Sequence, residues 1–232
     1  MGCSRGSKVK LTAPAPGEWT FENDTVARAF DRHVREQLPW YDLATGIVVA
    51  LGRHFIPDGG TVYDIGASTG NIGRALAPIL EARGARFYAI EPSAEMAAIY
   101  DGPGIVTRAR AERVEFADAD LIVCFLVLMF VPVAERGPLI ARMIAALKPG
   151  GALVVFDKLA PRSGDLGAIS LRLTLAAKYE AGATPDEIIR KELSLAGVQR
   201  PLFPAELDGL EPIFRFGDFG GWVYSAGDAL ES

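Results

Sequence analysis

The residues of this chain that could do chemistry lie close together in sequence. Asp64 sits near the end of one apolar run, Val62 to Ile65, Glu91 closes a second, Phe87 to Ile90, and Gly66, Ser68, Gly70 and Gly73 fall between them. Glycines at 66 and 70 let the backbone approach a ligand, and the helix predicted over residues 71–83 presents unpaired N–H groups at its start. Gly73 lets that helix pack tightly on a sheet. A carboxylate about 20 residues beyond such a turn suits the two hydroxyls of a ribose. The stretch 61–91 therefore reads as one βαβ unit carrying an adenosine-type site, the plain alternative being an ordinary strand-to-helix connection.

The loop Asp64-Ile65-Gly66-Ala67-Ser68-Thr69-Gly70 departs from a dinucleotide fingerprint at its middle glycine, which is Ser68. That side chain would crowd a pyrophosphate but not the thinner, zwitterionic methionine chain of S-adenosylmethionine. Asp64 can meet the ammonium of that chain. The pattern D-x-G-x-[GS]-x-G, with an acidic residue closing the next strand, resembles the first motifs of the Rossmann-like S-adenosylmethionine methyltransferases. The resemblance implies an α/β fold with a mostly parallel seven-stranded sheet and an antiparallel edge hairpin, together with N-terminal helices and a helical insertion. It implies a cofactor cradle of Asp64, Gly66, Ala67, Ser68, Gly70, Glu91 and Pro92, with Arg110 or the Ala111 N–H facing the adenine.

Composition bounds the rest. The 232 residues, half of them hydrophobic, suit one α/β domain with a sizeable core. With 24 basic and 29 acidic side chains the net charge is −5, so no global attraction to nucleic acid or anionic membrane is expected. Cys3 and Cys124 build neither a disulfide framework nor a zinc site, and the two histidines are scattered, so no metal is implied; the compartment expected is the cytoplasm. The longest apolar run, Leu121 to Val131, is too short to cross a bilayer core of about 30 Å as a helix.

In chain order, residues 1–16 read as a disordered tail and 17–225 as a single domain, with 226–232 as a second tail. Two helices precede the first strand. One is capped by Asn23 or Asp24 and carries Val26, Phe30 and Val34; the other spans about Leu43 to His54. His33 reads as a solvated side chain. Leu38 to Tyr41 is expected to cross the cofactor mouth. A helix over Pro132 to Leu147 should end in Lys148-Pro149-Gly150-Gly151, before a strand Ala152 to Phe156. Asp157 and Lys158, at that strand's exit, join Tyr41 as candidates to touch an acceptor. Residues 164–200 read as an amphipathic helical lid, interrupted where Thr184 caps and Pro185 starts a new helix. An antiparallel edge pair is expected over Pro212 to Ser225, with Phe214, Phe216, Phe219 and Trp222 on its core side.

From Leu11 to Ser225 the chain also resembles the carboxy-S-adenosylmethionine synthases of tRNA wobble-uridine modification. The match rests on Gly17 to Phe21, Val26 to Phe30, Leu38 to Tyr41, Val62 to Gly70, Ser93 to Met96, Lys148 to Leu153 and Phe216 to Gly220. That family takes a carboxylate from prephenate and forms homodimers. By resemblance Tyr41 contacts the cofactor, S-adenosylmethionine or its carboxylated derivative. Cys124 stands where the family has a strand-end asparagine, and Glu192 stands where it has the arginine that holds the extra carboxylate. One carboxylate beside another is repelled. A methyl transfer to an unidentified acceptor is therefore the expected activity, and carboxylated-cofactor synthesis, with Arg190 or Lys191 substituting, is the alternative. A cofactor-binding protein without catalysis is a further one.

Overall fold

The computed structural model describes residues 31–227 except His33 and Arg162. The tail 1–16, the cap at Asn23 or Asp24 and His33 lie outside the described residues, as do Gly17 to Phe21.

Residues 31–37 are helical where described and lead into α1 (Tyr41–Phe55). Seven strands follow: β1 (Thr61–Ile65), β2 (Arg86–Ile90), β3 (Ile105–Thr107), β4 (Ala119–Phe125), β5 (Leu147–Lys158), β6 (Glu211–Phe216) and β7 (Phe219–Ser225). Their order in the sheet is β3-β2-β1-β4-β5-β7-β6, the first five parallel and the last two antiparallel. Parallel strands need crossovers, and α2 (Asn71–Arg83), α3 (Ala94–Ala98) and α4 (Val133–Ala145) supply three of them. The chain runs outward from β1 to β3 and returns to β4 on β1's other side. The switch point of the sheet therefore lies between the carboxyl ends of β1 and β4, where such sheets bind ligands.

The core explains the rigidity of this arrangement. Every residue of β1 and β4 is buried, and Ala152 to Phe156 of β5 are fully so. Strands covered on both faces read as continuous apolar runs rather than alternations. Each fully buried Val, Leu or Phe side chain contributes about 1.5–3 kcal/mol. The edge pair fills the core as expected: Phe219 and Trp222 are buried, and Trp40 packs on Phe214 and Phe219 with ring centroids 5.5 and 5.0 Å apart.

Two expectations around β5 are corrected. The Lys148-Pro149-Gly150-Gly151 segment is not a turn that precedes the strand but part of β5, whose pairing with β4 shifts register between Ala119 and Leu121. A Cβ at Gly151 would lie 2.8 Å from the Ala119 carbonyl oxygen, so glycine lets the two backbones close there. The helix before it stops at Ala145 instead of reaching Leu147. Ala226, the first residue beyond β7, is still tied to β5: its N–H donates to the Gly151 carbonyl and its carbonyl accepts from Gly150 N–H.

The insertion forms α5 (Gly164–Glu180) and α6 (Pro185–Ser194), and Thr184 closes a capping box with Glu187. Amphipathicity fails in α5, which buries only Gly167 and Lys178 and leaves Leu166, Ile169, Leu171, Leu173 and Tyr179 exposed.

Candidate functional site

Four loops converge at the switch point around a cavity of about 470 Å³. After β1 it is lined by Gly66, Ala67 and Ser68, after β2 by Glu91, Pro92 and Ser93, after β3 by Arg108 to Glu112, and after β4 by Leu126, Val127, Phe130 and Val131. Tyr41, Asp64 and Phe125 also line it, with Asn71, Ile72, Ile90 and Met96. The volume is that of a small-molecule site, apolar with a few convergent polar groups.

The elbow after β1 is held from both sides. Gly66 and Ala67 N–H groups donate to the Ile90 carbonyl, at 2.8 and 2.9 Å. Ser68 N–H donates to Glu91 Oε2 and Ser93 N–H to Glu91 Oε1, each at 2.8 Å. One carboxylate thus ties the β1 elbow to the β2 exit, while Ser93 also caps α3 through Met96 N–H. Ser68 (φ 51°) and Leu126 (φ 63°) are two of the three non-glycine residues in the left-handed region among the described residues, and both line the cavity. Backbone strain of this kind costs about 1–3 kcal/mol per residue and concentrates at binding sites.

Gly66 is itself left-handed, at φ 69°, and a Cβ there would stand 2.5 Å from Val127 Cγ2. Gly66→Ala is therefore expected to destabilise the protein by about 1–3 kcal/mol and to push Val127 into the cavity. A thermal unfolding midpoint lowered in the absence of ligand, and a smaller rise on adding S-adenosylhomocysteine, would check it.

The polar groups differ in charge state. Glu91 is raised by burial, which the Ser93 and Ser68 N–H bonds counter. Asp64 has no such donors: burial first, then the neighbouring Glu91, push its carboxyl up to about 8. Its Oδ2 is buried without a hydrogen-bond partner among the described residues. A buried, unsatisfied carboxyl oxygen at the wall of a cavity fits a cationic ligand group, the kind of partner it lacks.

The segment ahead of α1 is fixed to the elbow by charge. Thr69 Oγ1 donates to Asp31 Oδ1 and Arg74 Nη2 to Asp31 Oδ2, while Arg35 bonds Asn71 and Asp42 and lies 5.2 Å from the centre of the Tyr41 ring. Burial raises the Tyr41 hydroxyl well above its usual range, so it stays protonated.

Of the predicted site residues, Tyr41, Asp64, Gly66, Ala67, Ser68, Glu91, Pro92, Arg110 and Ala111 line this one cavity. The others do not. Cys124 points into the core, 3.6 Å from Met143 Sδ, because side chains alternate along a strand and Phe125 takes the cavity side. Gly70 serves packing: it starts α2 at φ 100°, and a Cβ there would meet Gly102 N at 2.7 Å. Asp157 is fully buried and accepts from Met129 and Lys158 N–H, so it braces the loop behind the cavity wall rather than facing an acceptor. Lys158 turns to Gln199 and Glu192, and Arg190 is an exposed residue paired with Asp186. Neither Glu192 nor any other residue of the predicted lid at 164–200 lines the cavity. Phe125, Leu126, Val127, Phe130 and Val131 were missed as a wall; their signal was the apolar exit from β4.

Comparison with known proteins matches this geometry. A methyltransferase-domain family model covers residues 63–155. The carboxy-S-adenosyl-L-methionine synthase of Staphylococcus epidermidis is 31% identical over 192 residues, 81% of this chain and 84% of that one. The enzyme of the same name from Erwinia tasmaniensis is 29% identical over 191 residues, covering 78% and 77%. Two solved structures share the fold. The S-adenosylmethionine-dependent methyltransferase of Methanosarcina mazei has a TM-score of 0.51 and 17% identity, with 77% of this chain and 97% of that chain covered. For magnesium protoporphyrin IX methyltransferase of Synechocystis the TM-score is 0.51 and the identity 19%, over 92% and 90%. Fold and site thus define a class I S-adenosylmethionine-dependent transferase, with S-adenosylmethionine or a derivative as cofactor. Within that class the chain belongs to the carboxy-S-adenosyl-L-methionine synthase family.

Proposed function

We propose that the protein is a methyltransferase in which Glu91 takes the ribose hydroxyls, the 66–68 elbow cradles the amino-acid chain and Asp64 meets its ammonium. The observation that carries this reading is the orphaned Asp64 oxygen at the cavity wall, on the strand next to the one that ends at a Glu91 already aligned by two N–H donors. Bound S-adenosylmethionine would supply an electrophilic methyl on its sulfonium. The chain's own task is alignment and exclusion of water: Tyr41, Phe125, Val127 and Phe130 offer an apolar wall for an acceptor to lie against. The residues 108–112 loop is the place for the adenine, with Ala111 buried and Arg110 at the rim. The activity is placed in the cytoplasm because Cys3 and Cys124 build no disulfide framework.

Synthesis of the carboxylated cofactor, and with it tRNA modification, is the second reading, favoured by similarity along most of the chain. Glu192, bound to Lys178 at 2.6 Å and absent from the cavity wall, is not placed to repel the extra carboxylate; what stands against this reading is that Arg190 and Lys191 are absent from that wall too, so neither is placed to hold it. Mass spectrometry of the small molecule that co-purifies separates the two: a demethylated nucleoside supports methyl transfer, and a carboxylated sulfonium overturns it. Glu192→Arg is expected to create prephenate-dependent activity only if this position decides between them. Incubation with labelled S-adenosylmethionine and cell extract tests catalysis itself, since tight binding with no label transferred would favour a binding protein.

A homodimer is part of the proposal. Leu166, Ile169 and Leu173 recur at helical spacing on exposed α5, and Ile189 and Leu193 do so on α6, an apolar surface suited to a second copy.

A further inference from the structure

We propose that the acceptor is an apolar small molecule whose nucleophilic atom arrives as an anion, a thiolate or an aryl oxide, and that the exit of β4 selects it. The inference rests on the methyl-transfer reading and gives that site its substrate class. The exit of β4 supplies five side chains to the cavity, Phe125, Leu126, Val127, Phe130 and Val131, all of them hydrocarbon. Its backbone is turned to the protein's own needs. Leu126 N–H donates to the Phe156 carbonyl at 2.7 Å, Phe130 N–H to the Val127 carbonyl at 2.9 Å and Val131 N–H to the Leu128 carbonyl at 3.0 Å. The Val131 carbonyl accepts from Arg136 Nε at 3.1 Å. Arg136 is itself fully buried and anchored on Glu206 and the Arg200 carbonyl, so the wall is held rigid from behind.

Three classes of acceptor meet that wall differently. An amine gains positive charge as it is methylated and needs hydrogen-bond acceptors around it, whereas the Val127, Leu128 and Val131 carbonyls are already engaged, and a charge left on hydrocarbon is costly. An alcohol must give its proton to a base. Of the titratable groups on the described wall, Asp64 is assigned to the ammonium and Glu91 to the ribose, and the Tyr41 hydroxyl stays protonated. Arg108 and Arg110 hold their protons throughout, and Glu112 belongs to the adenine loop. An anion needs neither acceptors nor a base. Transfer from the sulfonium joins its lone pair to the methyl carbon while the carbon–sulfur pair returns to sulfur, so a cation and an anion become two neutral groups and no proton moves. Opposite charges attract more strongly where water is excluded, which is what hydrocarbon walls provide. Tyr41, whose ring meets Phe125 edge-on with centroids 5.2 Å apart, gives the acceptor's body an aromatic partner.

The test reads binding first and turnover second, with 4-nitrophenol, thiophenol and aniline as probes of the full chain. Sinefungin carries a charged amine in place of the methylated sulfonium, and S-adenosylhomocysteine carries no charge there. The sinefungin complex should bind 4-nitrophenol as its coloured anion, roughly tenfold more tightly than the S-adenosylhomocysteine complex does, at a pH where the free phenol is mostly neutral. Val127→Asp, which sets a carboxylate in the wall, should lose that binding by roughly tenfold or more. At saturating S-adenosylmethionine, methyl transfer to thiophenol or to 4-nitrophenol should be roughly a hundredfold faster than to aniline, and the two arms separate thiolate from aryl oxide. Each rate should rise with pH up to that acceptor's own ionisation and then level off. Uptake of 4-nitrophenol as the neutral phenol, a comparable rate with aniline, a pH break common to every acceptor, or no transfer to either anion-former would overturn the proposal. The absorbance of the unaltered protein's complex keeps the test decisive should Val127→Asp fail to fold. Failure of S-adenosylhomocysteine itself to bind would instead remove the methyl-transfer reading, and this proposal with it.

Discussion

Glu91→Ala is expected to weaken S-adenosylhomocysteine binding by a hundredfold or more and to lower the unfolding midpoint of the ligand-free protein. Two separate losses add. The ribose hydroxyls lose a charged acceptor, and a hydrogen bond to a charged group is worth about 1.5–3 kcal/mol, so two such bonds amount to at least two decades in affinity. In the free protein the Ser68 and Ser93 N–H groups lose the acceptor that now takes both, at 2.8 Å each. An unsatisfied buried donor costs about 1–3 kcal/mol, and a domain of this size loses about 2–4 °C of midpoint per kcal/mol. Glu91→Gln separates the two effects, since its amide oxygen can still accept one N–H bond and so spares part of the fold. Isothermal titration and thermal unfolding of both variants check this. Unimpaired binding by Glu91→Ala would remove the ribose role.

Cofactor affinity is expected to climb with pH and then turn over near pH 8. Asp64 is protonated in the free protein below about 8, because burial and Glu91 disfavour its charge. A cation beside its Oδ2 favours the carboxylate, so binding expels a proton. Affinity for S-adenosylmethionine should then rise about tenfold per pH unit between pH 6 and 8. Above that range the α-amino group of the ligand, ordinarily near 7.7–8.0, loses its own charge and the curve descends. Asp64→Asn should flatten the ascending limb and bind more weakly than the wild type at pH 8. The stability of the ligand-free protein moves the other way. A folded-state value raised from 3.8 to about 8 favours the folded state fully below pH 4, and that contribution is lost as pH rises through 8. Denaturant melts at pH 5 and 8, with and without ligand, should show both signs, and a flat affinity profile in the wild type would place the cation elsewhere.

The cavity shows why some of its residues were legible and others were not. Local chemistry named the elbow: Gly66 needs a left-handed backbone, Gly73 leaves room for the Phe87 ring 3.1 Å from where its Cβ would be, and an acidic residue must follow the next strand. Those demands act within one βαβ unit and leave their mark in residue type and spacing. The same holds for the strand runs of β1 and β4 and for the Thr184 capping box. Misreadings arose where two segments distant in sequence decide the outcome. Its match in position to a strand-end asparagine of the resembled family made Cys124 a plausible ligand contact, but the alternation of β4 turned it to the core and gave the cavity to Phe125. Asp157 looked like a strand-exit acid, and packing against the 128–130 turn buried it.

By itself, then, the sequence determined the βαβ unit, the adenosine-type elbow and the parallel order of the chain's central run, because periodicity, glycine conformational freedom and capping are short-range constraints. Only the tertiary structure decided which carboxylate carries two backbone donors and which is left bare, and that Glu192 sits beside lysines of β5 and α5 instead of in the cofactor cavity. Burial and pairing across elements set those charge states, and neither is a property of any local stretch of residues.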